Sequence, residues 1–471
     1  MTVSQKIKLA LTDSILNALA LALIFTWILS YPMHGPFLEE IFGPKAYILG
    51  HVFTFCHGLG LFVFAFLPPS ISSEKRIVTF TGSIICALTC IWTFFPSVNP
   101  YIISGILGLI SAYLVLAWVP VFLNEENPVI TIGLAMTAAN LLLGLAGFTH
   151  FLSYPFIKIV ASFTGLAPLL GALNISNKHL TSNLTNEEPG RINKTGIILS
   201  VIAFSAAAYF SGGLWFRVIM PLFYSRWPEV IGLDSFIYAV FYFALALYAR
   251  KFSYIWLGPV ALSLLGLGLA TVIIGLDRPV ETIITLLLLI AGLCATDLYY
   301  WLTLRGLTKM LNCRKVFGLG LGVSLFFITA PGIALDVQLL PSPLSSSTTA
   351  VFGACLLFII NPLIIWFLRP LQQYEQDKNV SLNNFDEKNR GGNDVKAGDD
   401  KLDREIPAFW YDLTNTEKKV YELIYNGCTD SEISEKLVIS RHTVKFHVRN
   451  ILRKSGTSNR KELLQIVKAS K

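Results

Sequence analysis

The chain has 471 residues, of which 54% are hydrophobic and only 14% are charged, whereas soluble domains carry about 25% charged residues. The hydrophobic residues are concentrated in positions 9–371, and the last hundred residues are polar. This composition excludes a single soluble domain and predicts two parts that face different solvents. The net charge of +7 identifies no partner by itself.

Twelve apolar segments follow one another in the first part, each near the length of about 20 residues that crosses a bilayer. We predict them at 9–31, 46–68, 77–96, 101–123, 128–152, 154–175, 195–216, 235–250, 254–275, 280–304, 313–335 and 348–368. The polar stretch 176–194 separates two sets of six. This layout resembles the two halves of the major facilitator superfamily of transporters. Because the loop 67–76 lacks the glycines and Asp of that superfamily's usual motif, the resemblance concerns architecture alone.

The distribution of Lys and Arg between the loops predicts the orientation of these segments. With the N-terminus in the cytoplasm, fourteen of them fall on the cytoplasmic side, Arg305 included, and only four fall outside: Lys45, Arg217, Arg226 and Arg278. An even number of segments then leaves both termini in the cytoplasm. We therefore expect a multi-pass protein of the inner (cytoplasmic) membrane that contacts membrane lipid.

Ionisable residues inside membrane segments are candidates for function. Asp297 lies in the tenth segment, seven residues before its predicted end, and is expected to face the interior of the bundle. Trp215, Arg217 and Tyr224 lie near the outer end of the seventh segment and could line a pocket for a small anionic or aromatic molecule. The alternative for these aromatic residues is a belt at the membrane surface. The glycines Gly318, Gly320 and Gly322 are expected to allow close helix packing.

The last hundred residues divide into a linker and a small helical domain. Residues 372–405 contain almost no large apolar side chains, so they are predicted to be a flexible cytoplasmic linker. Residues 406–471 show four short amphipathic patterns. Helix starts are predicted at Thr414, Thr429, Ser440 and Asn459, three of which have Glu three residues later.

The third of these helices and the residues after it are strongly basic. No Asp or Glu occurs between Lys436 and Lys461, and seven cations do: Arg441, Lys445, Arg449, Arg453, Lys454, Arg460 and Lys461. A basic helix that follows a short turn is typical of a helix that enters the DNA major groove. A basic helix can also be an ordinary solvated face, so charge alone leaves both interpretations open.

The residues from 413 to 463 resemble the LuxR-type (GerE/FixJ-like) helix-turn-helix family. The matching positions are Leu413, Thr414, Glu417, Val420, Leu423, Gly427, Glu432, Ile433, Leu437, Ile439, Ser440, Thr443, Val444, Lys445, His447, Asn450, Ile451, Lys454, Gly456, Asn459, Arg460 and Glu462. Two positions depart from the family: Ser455, where Leu is preferred, and Thr457, where Val is common.

The resemblance implies double-stranded DNA as a partner. Thr429–Leu437 would be the supporting helix and Ser440–Lys454 the recognition helix, and the last helix would form a homodimer on DNA. By the same resemblance, the base-reading positions are Lys445, Phe446 and Arg449, and the DNA backbone contacts are Thr443 and Lys454. Phe446 could instead be a packing residue.

The sequence as a whole therefore predicts an all-α protein: a twelve-segment membrane domain (1–371), a linker (372–405) and a LuxR-type domain (406–471). We expect a membrane-bound transcription regulator whose membrane domain senses a small molecule. A transporter with an appended DNA-binding domain and a passive membrane anchor are the alternatives. The seven cysteines have no metal-ligand spacing, and no nucleophile constellation or P-loop is present, so no metal, cofactor or enzymatic activity is expected.

Overall fold

The computed structural model describes residues 3–67, 74–176, 194–227, 232–251, 254–274, 279–311, 313, 315–336, 346–367, 413, 415–436, 441–457, 459–460 and 462–464. The chain divides into two compact units, Met1–Leu371 and Gln372–Lys471. The described residues form helices and turns, without a strand. The predicted linker, 372–405, lies outside the described residues.

The first unit contains the twelve predicted segments, numbered here in chain order. Their helices are Val3–Ser30, Ala46–Phe64 (after the short helix Pro36–Phe42), Lys75–Phe94, Pro100–Asn124, Pro128–Gly147, Tyr154–Thr164 with Leu166–Ser176, Lys194–Leu214, Leu233–Lys251, Leu257–Ile274, Pro279–Met310, Lys315–Asp336 and Ser346–Phe367. Segment 7 continues through a π-helical turn, Trp215–Ile219, into Met220–Arg226. Within the described residues, ten segments are long and apolar enough to cross a membrane. Segments 7 and 12 provide shorter apolar stretches, Val201–Leu214 and Ala350–Pro362.

A local sequence signal explains where segment 4 begins. Asn99 precedes segment 4, and its side-chain oxygen accepts hydrogen bonds from the backbone N–H groups of Tyr101 and Ile102 at 3.1 and 3.3 Å. Pro100 occupies the first helical position, where the missing N–H costs nothing.

Segment 10 extends six residues beyond the predicted end at 304, to Met310, because the polar residues after Leu304 continue the helix.

The packing of the segments repeats between the two halves of the unit. Segment 2 packs on 4, 1 on 5, and 3 on 6; adding six to each number gives the pairs 8 on 10, 7 on 11, and 9 on 12, which are also in contact. The halves meet where segment 2 packs on segment 11 and where segment 5 packs on segment 8. Exchanging the two halves converts one of these contacts into the other. The first unit is therefore a two-fold repeat of six segments, as its sequence predicted.

Glycines allow segment 11 to approach its neighbours closely. A Cβ atom on Gly318 would lie 3.1 Å from the carbonyl oxygen of Leu61 in segment 2, and one on Gly320 would lie 2.3 Å from a methyl carbon of Leu304 in segment 10. Contacts this short leave no room for a side chain. The predicted packing role of these glycines is confirmed.

The second unit has a small hydrophobic core of its own. Its described helices are Asn415–Tyr425, the supporting helix Asp430–Lys436 and the recognition helix Arg441–Ser455. Their apolar faces meet in a buried cluster of Leu413, Val420, Tyr421, Ile424, Cys428, Ile433, Val444, Ile451 and Leu463. Of the predicted fourth helix, residues 460 and 462–464 are described and are helical.

Turn chemistry fixes the ends of these short helices. Thr429 and Glu432 form a reciprocal capping box: the Glu432 carboxylate accepts the Thr429 N–H at 2.7 Å, and the Thr429 hydroxyl accepts the Glu432 N–H at 3.3 Å. Gly427 ends the preceding helix at φ +80°, and the N–H of Cys428 donates to the carbonyl of Leu423 at 2.9 Å, which is a Schellman motif. The predicted starts at Thr414 and Ser440 lie outside the described residues.

Candidate DNA-binding surface and intramembrane carboxylate site

Among its described side chains, the recognition helix presents the cations Lys445 and Arg449 to solvent. Val444 and Ile451 are fully buried in the core, while Lys445 and Arg449 are exposed. Lys445 and Arg449 are four residues apart and therefore lie one turn apart on the same helical face. The side chains of Thr443 and Phe446 lie outside the described residues, so their predicted roles stay predictions.

Lys454 has a partner within the unit that the sequence did not reveal. Its ammonium nitrogen lies 2.6 Å from the Glu417 carboxylate, and the side chains are 25% and 4% exposed, respectively. The ion pair connects the end of the recognition helix to the helix Asn415–Tyr425. The predicted contact of Lys454 with the DNA backbone stays a prediction, but the same ammonium also holds the recognition helix in place.

The turn after the recognition helix accommodates both departures from the family pattern. Ser455 and Thr457 share a hydrogen bond between their hydroxyls at 2.8 Å, and Gly456 between them adopts φ +69°. Thr457 is buried, so this bond satisfies a hydroxyl where the family has an aliphatic side chain. Beyond the turn, Arg460 pairs with Asp430 at 2.9 Å and also donates to the carbonyl of Cys428.

Asp297, in segment 10 of the first unit, accepts hydrogen bonds from two tyrosines. The Tyr209 hydroxyl, from segment 7, donates to one carboxylate oxygen at 3.0 Å, and the Tyr238 hydroxyl, from segment 8, donates to the other. Asp297 and both tyrosines are partly exposed. Asp297 lies 13 residues before Met310, at the end of segment 10, or about 20 Å from that end at 1.5 Å per residue. The helix therefore continues farther beyond Asp297 than the sequence boundaries suggested.

Two of the other predicted ligand-binding residues, Trp215 and Tyr224, have partners that differ from those of Asp297. Trp215 is buried and packs edge-on against Phe223 at 5.2 Å, and the Tyr224 hydroxyl donates to the Asp234 carboxylate at 2.9 Å. The side chain of Arg217 lies outside the described residues. Tyr224 and Asp297 thus belong to two separate tyrosine–carboxylate clusters, and Trp215 does not lie in an exposed aromatic belt.

A layer of aromatic residues lies one helical turn beyond Asp297. Trp301 of segment 10 is edge-on to Trp118 and Phe122 of segment 4, at 6.1 and 6.2 Å, and to Phe317 of segment 11 at 5.5 Å. All four residues are buried. This aromatic layer joins the two halves and lies between Asp297 and the C-terminal end of segment 10 along the chain.

Arg305 connects the halves one turn further along segment 10. Its guanidinium donates to the carbonyls of Phe122, Leu123 and Glu125 at 2.9, 3.2 and 2.7 Å. These are carbonyls at the C-terminal end of segment 4, where a cation is favoured by the helix dipole. The Glu125 carboxylate in turn accepts a hydrogen bond from the Asn17 amide at 2.6 Å. Arg305 is therefore not the loop cation that the sequence predicts but a buried contact between segments 4 and 10.

His57 is buried and its Nδ1 lies 2.7 Å from the hydroxyl of Ser111, so it is a satisfied core residue. Among the residues that the structure describes, no three His, Cys, Asp or Glu side chains lie close enough to hold a metal ion.

Comparison with known proteins assigns the second unit. The family described as "Bacterial regulatory proteins, luxR family" matches residues 412–467. The spore germination protein GerE of Bacillus subtilis is 38% identical over 50 residues, which are 11% of this chain and 68% of GerE. The transcriptional regulator MalT of Vibrio cholerae is 40% identical over 53 residues, and that of Serratia proteamaculans 38%. The chain covers only 6% of the length of either MalT protein.

Comparison with solved structures gives the fold of the first unit. The human organic anion transporter MFSD10 (TETRAN) matches with a TM-score of 0.53 and 14% identity, over 75% of this chain and 98% of the transporter. The nucleoside transporter NupG matches with a TM-score of 0.51 and 12% identity, over 77% and 100%. At these identities the likeness shows the fold alone.

The second unit is therefore a LuxR-type helix-turn-helix domain, and the first unit has the fold of these two transporters. The chain belongs to the LuxR family of bacterial regulatory proteins.

Proposed function

We propose that this chain is a one-component regulator of the cytoplasmic membrane. Its membrane domain would bind a small molecule, and its LuxR-type domain would bind promoters as a homodimer. The observation that carries the DNA-binding half is the shared solvent face of Lys445 and Arg449 on the recognition helix. Phosphate contacts would position this helix, and base contacts would give sequence specificity. A bidentate contact of Arg449 with guanine is the pairing that its fork of donors favours.

The proposed orientation places both termini in the cytoplasm. The excess of Lys and Arg in alternate loops supports this orientation, because burying Arg305 between segments removes only one of the cations counted inside. A cytoplasmic C-terminus is required for a domain that binds the chromosome.

The sensing half of the proposal rests on Asp297 and the aromatic layer. In the proposed orientation, the C-terminal end of segment 10 faces the cytoplasm, so the aromatic layer separates Asp297 from that side. A molecule that reaches Asp297 in this conformation would come from outside the cell. Binding can change DNA occupancy only if the molecule binds two conformations of the domain with different affinities.

The first experiment is genome-wide DNA occupancy of the full-length protein beside a Lys445→Ala, Arg449→Ala variant. We expect a discrete set of promoters that this variant loses. Lys418→Ala, on a different helix of the same unit, is the control for charge removal and should keep the peaks. Peaks that survive in the double variant would contradict the proposed surface.

A second candidate function is transport coupled to sensing. The complete six-plus-six packing pattern favours it, because a passive anchor does not require a repeat with two matched halves. Uptake into proteoliposomes by residues 1–371 would support transport. A passive anchor would be the simpler account if the detached residues 404–471 reproduced regulation under all conditions.

A further inference from the structure

We infer that Asp297, with Tyr209 and Tyr238, is the recognition site for an organic ammonium ion. The inference rests on the proposed sensing function and adds to it the chemical class of the ligand. Three observations lead to it: the free capacity of the carboxylate, its lack of a cationic partner among the described side chains, and the aromatic rings beside it.

The carboxylate is not saturated by its protein partners. An ionised carboxylate can accept about four hydrogen bonds, and the two tyrosine hydroxyls supply one to each oxygen. Asp297 keeps exposed surface although it lies in the middle of a 32-residue helix. The carboxylate therefore keeps acceptor positions for a polar group of a ligand while both tyrosines stay bound.

The charge of Asp297 has no cationic counterpart among the described side chains. Its described hydrogen-bond partners are the two tyrosine hydroxyls. Arg305, on the same helix, donates its hydrogen bonds to carbonyls at the end of segment 4. A carboxylate at this depth costs several kcal/mol when it is ionised without a partner. The ligand that compensates this cost is a cation.

The surroundings favour an organic cation over a metal ion. The Tyr238 ring stacks on that of Tyr242 at 5.8 Å, and the Tyr209 ring meets that of Tyr300 edge-on at 5.2 Å. Aromatic faces attract ammonium ions, whereas divalent metals require further carboxylate or imidazole ligands, which the described residues do not gather. Tyr242 is also fully buried, and its hydroxyl has no partner among the described residues, so it is available to a polar group on the ligand.

The test measures binding to the full-length protein in lipid nanodiscs by calorimetry. The probes are 2-phenylethylammonium, its neutral analogue 2-phenylethanol and its anionic analogue 3-phenylpropanoate, with tetraethylammonium as a second cation. We expect at least one cation to bind about tenfold or more tightly than the neutral and anionic probes, since a lost charge-assisted contact costs more than about 1.4 kcal/mol.

Substitutions locate the binding on Asp297. Asp297→Asn keeps the shape and should weaken cation binding by about tenfold or more, and Tyr238→Phe should weaken it less. Asp234→Asn is the matched control, because Asp234 also accepts a tyrosine hydroxyl in the same half, and it should leave cation binding unchanged.

Failure of this inference can be separated from failure of the proposed function. Equal binding of cation and neutral probes, no binding of either cation, or cation binding that survives in Asp297→Asn would overturn the site. An effect of Asp297→Asn only on the pH dependence of promoter occupancy, without cation binding, would also overturn it and would make Asp297 a proton site. Cation binding at Asp297 that leaves promoter occupancy unchanged would support the site and contradict sensing.

Discussion

Replacement of Lys454 by Met is expected to destabilise the DNA-binding unit strongly, although Lys454 lies at the end of a surface helix. Met keeps the apolar stem but removes the cation that lies 2.6 Å from Glu417. Glu417 is only 4% exposed, so its buried carboxylate would lose the cation that compensates its charge. Breaking such a pair costs about 3–5 kcal/mol in a fully buried setting.

The expected magnitude is smaller because water reaches part of this pair. The Lys454 side chain is 25% exposed, which places the cost at about 2–3 kcal/mol, between a buried pair and a surface pair. A domain of this size is stable by roughly 3–9 kcal/mol, so the variant would lose a large part of its stability. Adding Glu417→Gln to Lys454→Met should recover part of the loss, since the buried charge is then absent.

The assay is urea unfolding of residues 404–471, followed by circular dichroism, with Asp430→Asn as the matched control. Asp430 belongs to the other described ion pair of this unit, whose side chains are 30% and 32% exposed, and its loss should cost less than about 1 kcal/mol. Equal losses for Lys454→Met and Asp430→Asn would refute the reasoning, because burial would then not determine the energy of these pairs.

Four further outcomes are expected. Thr429→Ala removes the capping box and should cost about 1 kcal/mol in the same urea assay, whereas Thr429→Ser should keep most of the stability. Gly427→Ala should cost about 1–2 kcal/mol, because φ is +80° with no neighbouring atom within 4 Å, so only backbone strain acts; an unchanged midpoint would contradict this. Arg449→Ala should weaken operator binding by about 1–3 kcal/mol and relax preference at one base pair, which a binding-site selection would detect. Desolvation and the neighbouring His51 ring lower the pKa of His34 below its ordinary value of 6.5, so the unfolded chain binds a proton that the folded chain rejects. Thermal stability of the detergent-solubilised protein should therefore fall as the pH drops below about 6.5, and His34→Asn, which tolerates the observed φ of +57°, should flatten that decline.

Features that depend on local periodicity were predictable from the sequence. The twelve segments follow from the length of their apolar runs, and the cap at Thr429 follows from the spacing of Thr and Glu. Asp297 could be identified because a carboxylate in an apolar run is costly unless it has a use. The close contacts of Gly318 and Gly320 were also predictable, because small residues recurring along a membrane helix typically allow a neighbouring helix to approach.

Features that depend on distant partners were not predictable. Tyr209 and Tyr238 lie 88 and 59 residues from Asp297 in the chain, and tyrosine is too common in membrane segments to mark a site. The pairing of Lys454 with Glu417, 37 residues away, was hidden because both residues also fit family positions on a DNA-binding domain. Arg305 was misplaced because a cation near a predicted segment end is normally assigned to a loop.

The contact made by Arg305 has a consequence for how this protein can diverge. The guanidinium binds three main-chain carbonyls, and every amino acid supplies a carbonyl. Substitutions at Phe122 or Leu123 can therefore accumulate without a compensating change at Arg305. Pairwise co-variation between relatives would leave this joint undetected, and only the persistence of a single arginine at one position would record that the two repeats are held together there.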